Sequence, residues 1–329
     1  GDARHALGTC ALRVQSHGHW RLKGVQDPVE LFELGDEHTA FAPPPDADKA
    51  YRVVRERDIW LPVREIRHSL PAERDMFVGR GEALQSLARN LERGARLVSV
   101  LGIGGTGKTR LVTHFAWAWL GEFPGGAWFC DLSQARNVDG IVAAVAQALD
   151  VPLGKSDPVV QLGHAIAGRG RCLVVLDNFE QVARHAEATV GRWLERAPDA
   201  QFVVTTRELL GVAGEHAMAL PPLATSDAVA LFASRATSAT PGFRPDAADL
   251  SAIAELVDVL DGLPLAIELA AARIRVMSPR MLLVHMRDRF RLLGAPNGRR
   301  DRQATLRAAF DWSWDLLSDA EKSALAQLS

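Results

Sequence analysis

Hydrophobic residues follow two different spacings along this 329-residue chain, and the spacing changes near residues 70 and 222. Between those points, short continuous apolar runs alternate with segments whose apolar residues recur every three or four positions. The first spacing predicts buried strands, and the second predicts amphipathic helices. The pattern therefore favours an α/β domain with a parallel sheet.

The elements predicted from residue 70 onward fall into two series. A first helix contains Leu84 and Leu91 and ends at Gly94. Strands are then predicted at 97–101, 126–132, 173–177, 201–206 and 217–220, with helices at 111–120, 138–149, 158–167 and one running to about Arg196. After residue 222 only helices are predicted, at 227–238, 247–260, 265–276, 279–293 and 303–317, with one more beginning at a capping box of Ser318 and Glu321.

The first 70 residues have a different character. Two strand-like pieces, Cys10–Val14 and Val29–Leu34, flank a turn, and Pro43-Pro44-Pro45 opens an exposed linker. We therefore predict an N-terminal remnant at 1–37, a linker at 38–69 and a nucleotide-binding domain at 70–222. A helical subdomain is predicted at 223–298, and a truncated module at 299–329.

Composition restricts the classes of partner and the cellular compartment that we expect. Lys and Arg number 38 against 40 Asp and Glu, so no global basic field points to nucleic acid as a partner of this fragment. The three cysteines lack the spacing of a metal site or a disulfide framework, which suits a reducing, cytoplasmic setting. No apolar stretch approaches the roughly 18 residues of a membrane span. Because the chain starts with Gly and its last helix stops in mid-pattern, we expect a piece of a longer protein.

The strand at 97–101 runs into a glycine-rich octet, Gly102-Ile103-Gly104-Gly105-Thr106-Gly107-Lys108-Thr109. It fits the phosphate-loop pattern G-x-x-x-x-G-K-[ST] at every fixed position. Glycines allow positive φ, so successive N–H groups can hold phosphate oxygens. Lys108 can reach the β- and γ-phosphates, and Thr109 can ligate Mg²⁺. A chance glycine-rich loop is the alternative, but the full octet between a strand and a helix favours an ATP or ADP site that also includes Arg110.

Two acids follow the next buried apolar run. Asp177 ends that strand, where a carboxylate needs a partner, and we predict that it holds Mg²⁺ together with Thr109. A strand–helix unit separates it from Lys108, which is typical of P-loop ATPases with an extra strand between the Walker A and Walker B strands. Glu180 is the candidate general base, and the alternative is a helix-start carboxylate. Asn178 cannot act as a base.

Arg207 and Pro264 complete the candidate site. Arg207 follows a strand on the same carboxyl edge and could contact the γ-phosphate, although a surface salt bridge is the alternative. Pro264 lies in Gly262-Leu263-Pro264-Leu265 and is also a sensible helix-start residue without any ligand.

With these motifs in their order, residues 70–329 resemble the AP-ATPase branch of the STAND signalling ATPases, the NB-ARC-like switch proteins. The motifs that carry the resemblance are Phe77-Val78-Gly79-Arg80, Gly102–Thr109, Leu176–Glu180, Thr205-Thr206-Arg207 and Gly262–Leu265. The resemblance implies a P-loop fold with a helical subdomain and the start of a winged-helix domain.

The resemblance also implies roles for particular residues. Val78 and Arg80 would approach adenine and its ribose, Arg207 would sense the γ-phosphate, and Pro264 would pack on the base. Relatives carry Glu directly after the Gly-Arg pair, whereas this chain has Gly81 and then Glu82, so no role is carried over to that acid. The winged-helix histidine that contacts ADP in relatives would lie beyond residue 329.

A second resemblance covers about 30 residues near the N-terminus. His19–Val25 followed by Pro28–Phe32 is similar to the closing segment of class III adenylate/guanylate cyclase domains. The catalytic residues of that family would precede residue 1, so none is assigned here. A bacterial multidomain regulator is implied, in which cyclase activity would require the full-length protein.

Three hypotheses for function follow. The first is a slow ATPase switch that ADP closes and ATP opens for self-assembly, under an activating ligand or protein that the sequence does not identify. The second is a DNA-binding transcriptional regulator whose ATPase module controls a DNA-reading domain. The third is a partner of the cyclase domain. Glu180, Arg207 and the Gly262–Leu265 turn favour the first.

Overall fold

The structure is a computed structural model that describes residues 13–25, 27–35, 41, 44, 46, 47, 49–56, 59–63, 66–154, 156–292 and 322. The described residues fall into two compact units. The first comprises residues up to 74, 81–100 and 109–218, and the second comprises 75–80, 101–108 and 219 onward.

A five-stranded parallel sheet forms the centre of the α/β fold, as the sequence predicts. Its strands are β5 (Leu97–Leu101), β6 (Ala127–Asp131), β7 (Leu173–Asp177), β8 (Gln201–Thr206) and β9 (Glu215–Ala219), in the spatial order β6-β7-β8-β5-β9. All five residues of β7 are buried, as a strand covered on both faces requires. β6, the strand inserted in the sequence, lies at the edge, and β8 separates β5 from β7.

The helices of the first unit confirm the predicted 3.6-residue spacing. They are α1 (Gly81–Glu92), α2 (Lys108–Ala118), α3 (Val138–Leu149), α4 (Pro158–Ala167) and α5 (Arg192–Arg196). Asn137 caps α3 through the Gly140 N–H, and Asp157 caps α4 in front of Pro158. Their apolar faces cover the sheet with fully buried side chains such as Ile141 and Trp193.

The continuous helix predicted up to Arg196 is wrong. Short 3₁₀ turns at Phe179–Gln181 and Ala183–His185 and a π-helical turn at Glu187–Gly191 precede α5. Asn178 starts this stretch in the left-handed region with φ 61°, which stops a regular helix from leaving β7 directly. The Thr189 hydroxyl donates to the His185 carbonyl oxygen at 2.8 Å, a bond that also bends helices.

A second, antiparallel sheet lies in the first unit. It contains β1 (Arg13–Leu22), β2 (Val29–Gly35), β3 (Ala50–Glu56) and β4 (Ile59–Pro62), in the order β2-β1-β3-β4. Trp20 is 1% exposed and donates its indole N–H to the His17 carbonyl oxygen at 3.0 Å. Cys10 and most of the proline run lie outside the described residues.

The linker predicted at 38–69 therefore contains two strands. β3 pairs with β1 from Ala50 opposite Leu22 to Val53 opposite His19. The sequence Arg52-Val53-Val54-Arg55-Glu56 lacks a strict alternation of apolar and charged residues, so it carries no strand pattern, and β3 is held in the sheet by pairing with β1 and with β4. The proposed domain boundaries themselves stay a prediction.

The second unit is helical after residue 222. α6 (Thr225–Ala239), α7 (Ala247–Val259), α8 (Pro264–Ala271) and α9 (Pro279–Leu292) confirm the predicted helices, and a 3₁₀ turn at Ala272–Arg275 extends α8. Phe232, Ile253, Leu256 and Ile267 are fully buried in their shared core.

Arg280 ties α9 to the capping box of α7. The Asp246 side chain accepts from the Asp249 N–H at 2.7 Å, and Arg280 donates to both carboxylates at 3.0 and 3.1 Å. The start of α7 is thus held by a network of three side chains.

Within the described part of the chain, none of the helices has the length and apolar content that a membrane crossing needs. Cys130 and Cys172 are buried and free, as small core residues. The helix predicted at 303–317 and the start of the winged-helix module lie outside the described residues, apart from Lys322.

Candidate functional site

The phosphate loop joins β5 to α2 and is shaped by its own backbone. Gly105 and Gly107 have φ of 79° and 87°, a region that favours glycine. The Thr106 hydroxyl donates to the Ile103 carbonyl oxygen at 2.9 Å. A Cβ on Gly102 would lie 2.9 Å from that hydroxyl, so the loop closes tightly at its first residue. This geometry is that of a phosphate-binding turn leading into a helix N-terminus.

Lys108 is the first residue of α2, and its ammonium group folds back over the loop. Nζ donates to the carbonyl oxygens of Gly102 at 2.7 Å and Ile103 at 3.2 Å. Two backbone carbonyl oxygens of the loop therefore accept hydrogen bonds from this cation. Phosphate oxygens are stronger acceptors for an ammonium group than these carbonyls.

Thr109, the next residue, contacts the predicted metal-side acid. The Thr109 hydroxyl donates to the Asp177 carboxylate, and its Oγ1 lies 2.9 Å from Oδ1 and 3.0 Å from Oδ2. Asp177 ends β7, is 3% exposed and also accepts from Thr205 Oγ1 at 2.5 Å. Burial raises its pKa, hydrogen bonds from Thr205 and Thr109 oppose the shift, and nearby Asp131 and Glu180 add to it. A carboxylate and hydroxyls form the hard oxygen donor set that Mg²⁺ prefers.

Asn178 connects Asp177 to a second carboxylate, Asp131, which the sequence analysis missed. The Asn178 amide donates to Asp177 Oδ2 and to Asp131 Oδ1, both at 3.1 Å, and its backbone N–H donates to Thr205 Oγ1 at 3.0 Å. Asp131 is the β6 residue in register with Asp177. Burial raises the pKa of Asp131, but hydrogen bonds from Ser133 and Asn178 outweigh this and hold it below its ordinary value.

Thr205 was also missed as a site residue. The available signal was that Asp131 ends β6 and Thr205 is the next-to-last residue of β8, the two strands that flank β7, because the carboxyl ends of parallel strands meet at one edge of a sheet. Periodicity alone gave no reason to choose them over other polar residues at strand ends.

Glu180 and Arg207 form an ion pair beside this cluster. Arg207 Nε donates to Glu180 Oε1 at 3.1 Å, with side-chain exposures of 58% and 19%. The other oxygen, Glu180 Oε2, is buried and has no hydrogen-bond partner among the described residues. The structure thus brings together four predicted residues of the first unit, Thr109, Asp177, Glu180 and Arg207.

Arg80 lies in the second unit with the phosphate loop. Its backbone has φ 66°, and its guanidinium donates to the carbonyl oxygens of Thr106 at 2.9 Å and Pro222 at 3.4 Å, and also to that of Pro221. Burial lowers its pKa, and the charge of Asp227 opposes the shift. Arg80 therefore connects the phosphate loop to the segment before α6, while its contact with a base and ribose stays a prediction.

Pro264 also lies against the phosphate loop. It is the first residue of α8, and the Leu265 N–H donates to the Gly105 carbonyl oxygen at 3.2 Å. A Cβ built on Gly107 would come within 3.8 Å of Pro264 Cγ. Val78 packs against the helical core, and Arg110 is half-buried in the first turn of α2. The adenine contacts expected of Val78 and Pro264 stay predictions.

Curated proteins with similar sequences include two from Mycobacterium tuberculosis. The uncharacterized protein Rv0894 of Mycobacterium tuberculosis is 34% identical over 276 residues, covering 83% of this chain and 70% of Rv0894. Rv0890c of the same organism, whose name assigns it provisionally to the HTH-type transcriptional regulators, is 39% identical over 236 residues. This region covers 71% of the present chain but only 26% of Rv0890c, so the chain spans about a quarter of that relative.

Among solved structures, a STAND protein with a tetratricopeptide repeat sensor, PH0952 from Pyrococcus horikoshii, matches with a TM-score of 0.47 and 18% identity. The match covers 80% of this chain and 36% of PH0952. No protein-family model matches the chain. The P-loop fold and site described above rest on the geometry of this chain itself.

Proposed function

We propose that this chain, which belongs to the same family as the uncharacterized protein Rv0894 of Mycobacterium tuberculosis, is a nucleotide-dependent switch that binds Mg-ATP or ADP and hydrolyses ATP slowly. The observation that carries the proposal is the contact of Thr109 with both oxygens of buried Asp177, directly after a phosphate loop closed by Lys108. A buried carboxylate that shares its oxygens with two threonine hydroxyls suits a hydrated divalent cation.

Different residues would bind the phosphates and the Mg²⁺ ion. N–H groups of Gly104, Gly105, Gly107 and Lys108 would hold the β-phosphate, and the Lys108 ammonium would exchange its two carbonyl partners for β- and γ-oxygens. Thr109 and Asp177 would hold Mg²⁺, which neutralises charge on the phosphates when bound. Arg110, next on α2, would contribute positive charge beside them.

Glu180 and Arg207 would carry the chemical step. The buried Oε2 of Glu180 is the acceptor for the proton of an attacking water, while Arg207 occupies Oε1. While the ion pair is formed, the Arg207 guanidinium occupies Glu180 Oε1, and the need to open this contact supports slow turnover. When Arg207 turns to the γ-phosphate, it leaves Glu180 free to accept the proton.

Switching would pass through contacts inside the second unit. The carbonyl oxygens of Gly105 and Thr106 bond to the start of α8 and to Arg80, so a phosphate that reshapes the loop alters both contacts. This arrangement supports the finer assignment to STAND AP-ATPases of the NB-ARC type. Self-assembly in the ATP state, an activating ligand and a cyclase-like domain ending near residue 37 belong to the same proposal.

The decisive experiment identifies the nucleotide that co-purifies with the chain by mass spectrometry and compares Asp177→Asn with Asp139→Asn, an exposed acid in α3. We expect bound ADP in the parent chain and in Asp139→Asn. In Asp177→Asn, Mg²⁺ should no longer strengthen ATP binding measured by calorimetry. Nucleotide-free parent protein that also fails to bind added ADP would contradict the proposal.

A transcriptional role is the second candidate, and the name of the relative Rv0890c favours it. In that case the ATPase module described here would control a DNA-reading domain elsewhere in a longer protein. A gel-shift assay with random-sequence duplex DNA tests whether this chain itself binds DNA. With balanced charge, we expect no shift at about 0.15 M salt.

A further inference from the structure

Arg235 lies in the second unit, where its side chain bonds to two elements that reach the phosphate loop. It belongs to the C-terminal half of α6, and its side chain is 18% exposed. Nη1 lies 3.0 Å from Asp75 Oδ2, while Nε and Nη2 each lie 3.0 Å from Glu268 Oε1. The planar guanidinium therefore divides its donors between a carboxylate of the segment 75–80 and a carboxylate of α8.

The electrostatics of this contact favour a fixed guanidinium. Burial lowers the pKa of Arg235, but the hydrogen bond with Asp75 and the charge of Glu268 outweigh burial and raise it above its ordinary value. A partly buried arginine that bonds to two carboxylates is held more firmly than an exposed ion pair. Lysine could not reproduce the arrangement, because its ammonium is a point charge without the rigid fork of arginine.

The segment 75–80 also contacts α6 at its other end. Gly79 has a left-handed backbone with φ 67°, and a Cβ built on it would come within 2.8 Å of Asp227 Cβ, in the first turn of α6. Eight residue steps of helix separate Asp227 from Arg235, which is a rise of about 12 Å. The four steps from Asp75 to Gly79 can span roughly 13 Å, so the segment has the length to follow the helix.

Both elements that Arg235 holds donate hydrogen bonds to the phosphate loop. Arg80, at the end of the segment, donates to the Thr106 carbonyl oxygen at 2.9 Å. The start of α8 donates through the Leu265 N–H to the Gly105 carbonyl oxygen at 3.2 Å, one turn before its glutamate partner of Arg235. Arg235 is thus the partner shared by the two elements that hold consecutive carbonyl groups of the loop.

Fixing these carbonyl groups has a consequence for the N–H groups of the loop. In a trans peptide the C=O and N–H bonds point in opposite directions. Donors that hold the carbonyl groups of Gly105 and Thr106 therefore direct the following N–H groups, those of Thr106 and Gly107, the opposite way. N–H groups aimed together are what such a loop offers to phosphate oxygens.

We infer that Arg235 is a positioning residue for nucleotide binding, because it holds Arg80 and the start of α8 together on the phosphate loop. The inference rests on the proposed function and adds the side chain through which the two contacts change together. In this role Arg235 bonds only to the protein, and it acts on the phosphates through the peptide groups that its partners fix.

The positioning can first be measured without nucleotide. The Leu265 N–H lies in the first turn of α8, where helices supply no acceptor of their own, so its hydrogen exchange reports the bond to the Gly105 carbonyl oxygen. Mass spectrometry with fragmentation to single residues should show about fivefold faster exchange in Arg235→Gln, with unchanged rates in the middle of α7. Arg192→Gln, which removes an arginine paired with Asp157 at 2.8 Å in the first unit, is the matched control and should exchange as the parent does.

Calorimetry with ADP, well below the melting transition of each variant, measures the effect on binding. Arg235→Gln should weaken ADP binding about fivefold. Arg235→Lys should weaken it as well, because it keeps the charge but cannot serve both carboxylates. Asp75→Asn, at a half-exposed side chain, should weaken binding by itself but add no further loss to Arg235→Gln, because the two residues act through one contact.

Three outcomes would overturn the inference. Parent exchange rates at Leu265 in Arg235→Gln would show that the arginine does not hold α8 on the loop. Parent ADP affinity in Arg235→Gln, together with lower stability in urea, would leave a purely structural ion pair. Losses that multiply in the double variant with Asp75→Asn would show that the two residues act separately. A parent chain that binds no ADP contradicts the proposed function itself, and this result is distinguishable because it involves no variant.

Discussion

Two groups of candidate nucleotide-binding residues, the phosphate-loop half in the second unit and the acid half in the first, are each held by different contacts. In the phosphate-loop half, Lys108, Thr106, Arg80 and the Leu265 N–H all bond to backbone carbonyl oxygens. In the acid half, Thr109, Thr205, Asn178 and Arg207 all bond to side-chain carboxylates.

This difference predicts that substitutions in the two groups will affect different properties, namely phosphate binding in one and metal use and turnover in the other. The acceptors in the phosphate-loop half are backbone carbonyl oxygens, which no substitution removes, so substitutions of the donors there should alter mainly how tightly phosphates bind. A cluster held by side chains depends on the identity of each group, so substitutions there should alter metal use and turnover more than binding.

The largest effect is expected in the acid half, at Glu180. Glu180→Gln keeps size and hydrogen bonding but removes the base, so ATP should still bind while turnover falls on the order of 10²–10⁴-fold. Steady-state phosphate release and ATP calorimetry measure the two quantities. Glu195→Gln, an exposed glutamate in α5, is the control. Equal turnover in parent and variant would return Glu180 to the role of a helix-start carboxylate.

The phosphate-loop half should respond most at Lys108. Lys108→Ala removes the loop cation and should abolish the thermal shift that ATP or ADP gives the parent. At about 100 times Kd that shift corresponds to roughly 2.7 kcal/mol of stabilisation. Lys23→Ala, an exposed lysine in the turn after β1, should keep the full shift. If Lys108→Ala keeps it as well, the phosphate-loop assignment fails.

Asp177, in the acid half, should make the stability of the folded chain depend on pH. Burial raises its pKa, so above that pKa the folded chain holds an unfavourable buried charge, and this cost disappears as pH falls through the raised pKa. Asp177→Asn should therefore raise the melting temperature of nucleotide-free protein at pH 8, by roughly 2–4 °C per kcal/mol gained.

The gain from Asp177→Asn should shrink toward pH 4 in thermal melts. A variant that is less stable than the parent at pH 8 would mean that the Thr109 and Thr205 hydrogen bonds outweigh desolvation. Asp139→Asn should change little at either pH.

The smallest effect is expected at Pro264, which tests whether apolar surface beside the phosphate loop contributes to ADP binding. Pro264→Gly loosens the start of α8 and removes apolar surface beside the phosphate loop, so ADP affinity should fall several-fold with little change in helix content. Pro158→Gly, at the start of α4, is the matched control.

Calorimetry with ADP and small-angle scattering with and without ADP measure the outcome at Pro264. If Pro264→Gly leaves both ADP affinity and radius of gyration at parent values, Pro264 is only a helix-start residue.

Much of the fold could be read from the sequence because its signals are local. The phosphate loop, the buried run ending at Asp177 and the helices after residue 222 each carry a pattern within one segment. β3 carries none, and its place in the sheet comes from pairing with β1, across more than twenty intervening residues, and with the short strand β4. The irregular stretch after Asn178 depends on one left-handed residue, which composition does not reveal.

The site was predictable to the same extent. Lys108, Thr109 and Asp177 belong to a motif, whereas Asp131 and Thr205 are recruited only by strand register. Arg80 was identified from its motif, but its carbonyl partners are set by the folded second unit. The sequence therefore identified the residues that belong to motifs, and it missed Asp131 and Thr205, which hydrogen-bond to Asn178 and Asp177 and help to position them.

The helix that begins at Lys108 carries its own optical reporters. Trp117 lies near its end with the indole N–H bonded to the Pro71 carbonyl oxygen at 2.9 Å, and Trp119, just beyond, stacks on Phe115 at 4.6 Å. Indole emission depends on the polarity and packing of the surroundings. Small displacements of this helix would therefore change the colour and intensity of the protein's ultraviolet emission, so its response to nucleotide can be followed without any attached dye.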